Sequence, residues 1–198
     1  MTTENQSNSH RSTEFRKLRR VERALDENAS IDIIKHTDHA VLSTADATGV
    51  PYGVPITPVL VGNALYFHST GEMGGRKADN MLMNSKVSVC FIGKAHTLPE
   101  VYSVDFASVI VSGKASEVTD NQEKILAMKE LLKRHAPNNS KERNMIQAKI
   151  RYPLISVWKV EIESICGKAR AAKIWTGPEC LKTVQQIELQ SWLKGAPK

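Results

Sequence analysis

The 198-residue sequence contains no apolar run approaching the roughly 18 residues that a membrane span requires. Its opening, MTTENQSNSHRSTEFRKLRR, is polar and then basic, without the apolar stretch of a secretory signal. Cysteines are few: Cys90, Cys166 and Cys180 are odd in number, far apart, and form no Cys-x-x-Cys. That spacing excludes a disulfide framework and a zinc ribbon, and points to a reducing compartment, with the cytoplasm as the expected location. Aromatic residues make up only 6% of the chain, and Phe15 alone lies near the basic run Arg16, Lys17, Arg19, Arg20 and Arg23. A nucleic-acid surface built on stacking therefore has little to work with there. Glu14, Glu22, Asp26 and Glu27 interleave with those cations, as on a solvated helix face, although the formal charge of +6 also suits a phosphorylated ligand. There are no internal repeats.

What is present is the composition of one globular domain, with 41% apolar and 24% charged residues. Residues 1–12 carry almost no hydrophobes and read as a disordered tail, leaving a single domain over 13–198. Phe15, Leu18, Val21 and Leu25 fall at helical steps, and Ser30 is placed to cap a second short helix holding Ile33 and Ile34. A strand over His39–Thr44 is followed by a hairpin loop at Asp46–Gly49. Val50–Val61 is strand-like but carries Pro51, Pro55 and Pro58, so it must lie at an edge, bulge, or leave one side unpaired. Gly62-Asn63 turns the chain into a strand at Ala64–Ser69. A helix over Arg76–Met83 is expected to bury Ala78, Met81 and Leu82. Strands follow at Lys86–Ile92, Asp105–Val118 and Leu154–Ile165, with helices after Asp120 (Ile125, Met128, Leu131, Leu132) and over Glu179–Leu193. Hairpin-linked strands with few crossover helices predict an α+β fold built on an antiparallel barrel, with peripheral helices.

One stretch carries chemistry: Tyr66-Phe-His-Ser-Thr-Gly-Glu-Met-Gly-Gly-Arg-Lys-Ala-Asp-Asn80. A strand ends in the hydroxyls of Ser69 and Thr70, and a glycine-rich loop leads into a helix whose first turn holds Arg76 and Lys77. Cations in a first helical turn oppose the helix dipole, and an anion bound at the free N–H groups would relieve that conflict. The set suits a dianionic phosphate ester. A plain loop with two exposed basic side chains is the other reading of the same residues.

The chain here resembles the pyridoxamine 5′-phosphate oxidase-like flavin-binding split barrels, and among them the nitroimidazole-resistance (Nim-type) branch, over about residues 30–170. The resemblance rests on Gly-Val-Pro-Tyr-Gly-Val-Pro-Ile (49–56), Leu-Tyr-Phe-His-Ser (65–69), Gly-Arg-Lys (75–77), Lys-Val-Ser-Val-Cys-Phe (86–91), Ser-Val-Ile-Val-Ser-Gly-Lys-Ala (108–115) and Gly-Lys (167–168). It implies an antiparallel FMN-binding split β-barrel. The end of the third strand (Phe67, His68, Ser69) with Arg76 and Lys77 would hold the FMN phosphate, and the backbone of Pro55, Ile56 and Thr57 would lie along the isoalloxazine. It further implies a homodimer with the cofactor at the interface, where Ser108 reaches the partner's flavin, and an oxidoreductase acting on a small electron-poor, nitro- or quinone-like compound.

Against that pattern, Tyr52–Pro58 contains no Lys or Arg, so the charges for a substrate phosphate are missing and vitamin B6 oxidation is not expected. The Nim-type branch has a histidine where this chain has His68. It is a candidate catalytic proton donor, or else only a cofactor ligand. A barrel that binds haem or flavin without catalysis is the alternative on the same fold. His36-x-x-His39 lacks the further ligands of a zinc site, so no metal is expected. Cys90 is expected to be a buried small hydrophobe, and Trp158 a core aromatic unless it stacks on a ligand.

Overall fold

The computed structural model describes residues 18–71 and 75–170. The tail expected at 1–12, Phe15, and the helix expected at Glu179–Leu193 lie outside them. Seven antiparallel strands form one sheet: β1 (Ala40–Ala45), β2 (Pro51–Ile56), β3 (Val59–Val61), β4 (Ala64–Thr70), β5 (Lys86–Leu98), β6 (Ser103–Glu117) and β7 (Ile155–Arg170). Their order is β2-β1-β5-β6-β7-β4-β3. Among the described residues four α-helices accompany them: α1 (Glu27–His36), α2 (Arg76–Met83), α3 (Asn121–His135) and α4 (Lys141–Arg151). None is long and apolar enough to cross a membrane, among the described residues.

The strand predicted over Val50–Val61 is two strands at opposite ends of the sheet, β2 and β3, joined only by Thr57 and Pro58. Three peptide links of 3.8 Å allow at most about 11 Å between the Cα atoms of Ile56 and Val59. The two sheet edges must therefore meet, and the sheet curls into a barrel that stays split where they do not pair. The period of two fills its interior with Leu42, Leu65, Phe67, Val89, Phe91, Val109, Val111, Trp158 and Val160, each at most 2% exposed. This is the α+β split barrel expected from sequence.

Four local expectations are corrected. The helix read through Leu18, Val21 and Leu25 does not form: Val21–Arg23 is a single 3-10 turn, and Ala24 and Leu25 bridge to the end of β7, Leu25 N–H donating to the Gly167 carbonyl at 3.0 Å. The cap of α1 is Asp26, whose carboxylate accepts from Ala29 N–H at 2.7 Å. Ser30 lies inside the helix, 1% exposed, and donates to the Asp26 carbonyl. It packs against Gly167, where a Cβ would collide with Ser30 Oγ. Leu82 is 71% exposed, because α2 is only two turns long and its inner face is Ala78, Asn80 and Met81. Cys90 is half-buried on the outer face of β5, since it sits out of phase with Val87, Val89 and Phe91. Trp158 is core, as expected. The caps of α3 and the 46–49 hairpin also follow expectation: Asp120 accepts from Glu123 N–H at 2.8 Å, and Gly49 takes a positive φ of 88°.

Candidate functional site

The split lies between β2 and the end of β4. Gly71 N–H donates to the Leu154 carbonyl at 3.1 Å and Ile162 N–H to the Asn63 carbonyl at 3.2 Å. In an antiparallel ladder this phase turns the odd residues of β4 toward β7, and the even ones away from it. β3 ends opposite Tyr66, so the N–H groups of His68 and Thr70 face the split with no strand partner among the described residues. On the other side Asp46 N–H donates to the Val50 carbonyl, a phase that turns Pro51, Gly53 and Pro55 away from β1. The prolines thus occupy edge positions where no donor is required.

α2 opens across this gap. α1, α3 and α4 each have a side-chain cap, from Asp26, Asp120 and Ser140, whereas the N-cap of α2 is Gly75, which supplies none. Ala78 and Asp79 N–H donate to the Gly75 carbonyl at 2.7 and 3.1 Å, and the N–H groups of Arg76 and Lys77, without a backbone partner among the described residues, are available to an anion. The helix is aimed by a buried polar chain that sequence reading missed. The Asn80 amide, 2% exposed, donates to Thr44 Oγ1 at 2.9 Å, and that hydroxyl donates to the Tyr52 carbonyl at 3.3 Å. The guanidinium of Arg76 stands 5.0 Å from the centre of the Tyr52 ring on β2, and Arg76 is exposed. Lys77 is half-buried and acts electrostatically on His68. The two cations thus flank the split, one toward each edge.

Strand alternation separates the other predicted site residues. His68 and Thr70 point to the outer face, whereas Phe67 and Ser69 are 1% and 6% exposed inside the barrel. Ser69 Oγ accepts from the Trp158 indole N–H at 3.1 Å, so its side chain is occupied in the core. The Ile56 side chain is likewise buried; the backbone groups of Phe67 and Ser69 face β7 and those of Ile56 face β1, so none of the three presents a free group to the split. Pro55 is exposed and Thr57 half-buried. Ser108 is half-buried on the outer face of β6, opposite Ile92 and Lys168, away from His68 within one chain.

Above the outer face of β4 lies a cavity of about 1010 Å³, lined by His68, Thr70, Thr57, His135 and apolar side chains including Met128, Leu131 and Ile155. α3 roofs it and is pinned at both ends. Near its start, Tyr66 OH donates to Glu123 Oε1 at 2.7 Å and Lys159 Nζ reaches the same oxygen at 3.2 Å. Burial and then the Glu123 bond push the Tyr66 phenol up to about 12. At its end, Arg134 pairs with Asp38 at 3.0 Å, and His135 meets the carbonyls of Pro58 and Thr57. Burial, then the neighbouring His135 and Lys77, hold the His68 imidazole below its ordinary value. His135 is also lowered, by burial and then Arg134. Both shifts favour the neutral form of the ring. His135 was missed in the sequence, although it continues the α3 stripe of Met128 and Leu131 at helical spacing. His36 bonds to its own turn at Asp32, and no cluster of three metal-ligating side chains occurs among the described residues.

Residues 26–169 match the sequence profile of a family described as Pyridoxamine 5′-phosphate oxidase. No curated protein gives a match. Among solved structures, the chain resembles a candidate 5-nitroimidazole antibiotic resistance protein of Bacteroides thetaiotaomicron, with 23% identity and a TM-score of 0.61 over 74% of this chain and 86% of that one. It also resembles an FAD-binding protein of Mesorhizobium loti (20% identity, TM-score 0.56, over 75% and 98% of the two chains). A third likeness is to HutZ, the haem storage protein of Vibrio cholerae (16%, 0.55, over 72% and 94%). At these identities the likeness is one of fold.

Proposed function

Because the chain belongs to the pyridoxamine 5′-phosphate oxidase family, we propose that it binds FMN at the split and works as an oxidoreductase on a small electron-poor compound of the nitro or quinone kind. One observation carries this reading: two strand amides, of His68 and Thr70, without a strand partner among the described residues, stand beside a helix start that has no side-chain cap and bears Arg76 and Lys77. Strand N–H groups, helix dipole and cations converge, and a phosphate dianion leaving water needs all three. The residues present therefore fit the group. Flavin in this place would supply hydride and electron transfer.

The chain's own residues bind and orient. Pro55 and Gly53 present the backbone edge of β2 to the split, Lys77 neutralises phosphate charge, and Met128 and Leu131 of α3 give the cavity an apolar wall. His68, neutral and facing the cavity, donates a hydrogen bond there. A phosphate nearby would raise its pKa toward the range where it also delivers a proton. The homodimer belongs to the same proposal. The outer face of the sheet carries a row across four strands, Val41, Cys90, Ile110 and Cys166, beside a second row, Ser43, Ser88, Ser112 and Ser164. Such a flat face of small side chains, with Val41 37% and Ile110 46% exposed, suits a second copy, and it would bring Ser108 near the partner. The reducing cytoplasm suits the exposed thiol of Cys166.

Haem is the second reading, favoured by two neutral imidazoles, His68 and His135, on one cavity of a size to admit a porphyrin edge. The absorbance spectrum of purified protein decides between them. A flavin spectrum with cofactor released as FMN on denaturation supports the proposal, and a Soret band or a colourless protein that takes up no FMN overturns it. Reoxidation of the reduced flavin by a nitroaromatic or quinone then tests turnover.

A further inference from the structure

The helical hairpin of α3 and α4 is open. No residue of α4 is buried, and its apolar Met145 and Ile150 are 59% and 53% exposed. Between the helices runs a groove of about 950 Å³, with an apolar floor that includes Met128, Leu132, Met145 and Ala148. Its rim carries Lys129, Lys133, Lys141 and Lys149, and no carboxylate lines it. Lys133 shares its charge with Glu130 at 3.5 Å, while the other three have no ion-pair partner among the described residues. Met128, Leu132 and Ala148 also wall the His68 cavity, but Met145 and the four lysines do not.

We infer that this groove binds an anionic amphiphile, a single acyl chain headed by a carboxylate. The floor asks for methylenes and the rim for negative charge. At 1.5 Å per residue the eleven residues of α4 give a groove about 16 Å long, the reach of a chain of roughly a dozen carbons. Charge disfavours the other occupants. Residues 171–198 carry Lys173, Lys182, Lys194 and Lys198 against Glu179 and Glu188, four cations less two anions, the same sign as the rim. A second copy related by a two-fold axis would set lysines against lysines.

Calorimetric titration of the full chain with dodecanoate, 1-dodecanol and dodecyltrimethylammonium tests the inference. Dodecanoate is expected to bind once per chain, at least tenfold tighter than either of the others. Lys129→Gln/Lys149→Gln should weaken dodecanoate by about tenfold, the effect of two exposed charges, and leave dodecanol unchanged. Met145→Glu, at an exposed position that folding does not need, should weaken dodecanoate by more than tenfold while the circular dichroism stays native. Equal binding of acid and alcohol overturns the inference, as does dodecanoate affinity indifferent to both variants. If dodecanoate does not bind and Met145→Glu changes the particle mass in light scattering, the groove is a contact between copies and the inference fails.

Discussion

Removing Lys77 and Arg76 separately tests whether the split holds a phosphate. Lys77 is half-buried beside His68, so its ammonium meets an anion in partly desolvated surroundings. A charge-assisted bond of that kind contributes about 1.5–3 kcal/mol, which is roughly 10- to 150-fold in Kd. Arg76 is exposed and rests on the Tyr52 ring. An exposed charge of this sort contributes only about 0.2–1 kcal/mol, at most a few-fold. Lys77→Ala should therefore weaken FMN by one to two decades, Arg76→Ala by several-fold, and the double variant by about the product. Neither side chain supports the core, so both variants should unfold at the wild-type temperature. Quenching of FMN fluorescence during titration of apoprotein gives the constants. Riboflavin, without the phosphate, should bind wild type and double variant alike, and more weakly than FMN binds wild type. Near wild-type affinity in the double variant, or riboflavin equal to FMN on wild type, would refute a phosphate between the two edges.

The depressed pKa of His68 and His135 means that the unfolded chain takes up protons which the folded one resists. The stability of apoprotein should be full above about pH 6.5 and decline as the pH falls through the lower folded values. FMN should move the His68 titration upward in proton NMR, and an unmoved or lowered value would place the phosphate elsewhere. Asn80→Ala, which breaks the buried bond to Thr44, should cost about 1–3 kcal/mol in denaturant unfolding. It should also weaken FMN although Asn80 does not touch it, because α2 loses its aim; unchanged affinity would separate helix placement from binding. Ile110→Arg, in the apolar row of the outer sheet face, should convert a dimer near twice 22.0 kDa into monomer by light scattering, and a dimer that persists would move the interface to another face.

The sequence by itself determined the barrel and the place of the glycine loop and helix start at Arg76-Lys77. Alternating apolar positions, three prolines in one apparent strand, and a glycine loop before Arg76-Lys77 are local signals, read within a few residues of one another. The start of α2 was legible for the same reason, since helix starts depend on neighbouring residues. Helix entry at 18–26 was not, because Leu25 is held by Gly167, a residue some 140 positions away that no local periodicity reports. Only the tertiary structure divided Val50–Val61 between two sheet edges, for strand identity depends on the partner and not on propensity. It alone separated His68 from Ser69, because the period of two becomes a choice of inside and outside only once the barrel closes. And it alone brought His135 over His68, through Tyr66, Glu123 and the Arg134–Asp38 pair, contacts between residues 57 and 96 positions apart that exist only when α3 has docked on the sheet.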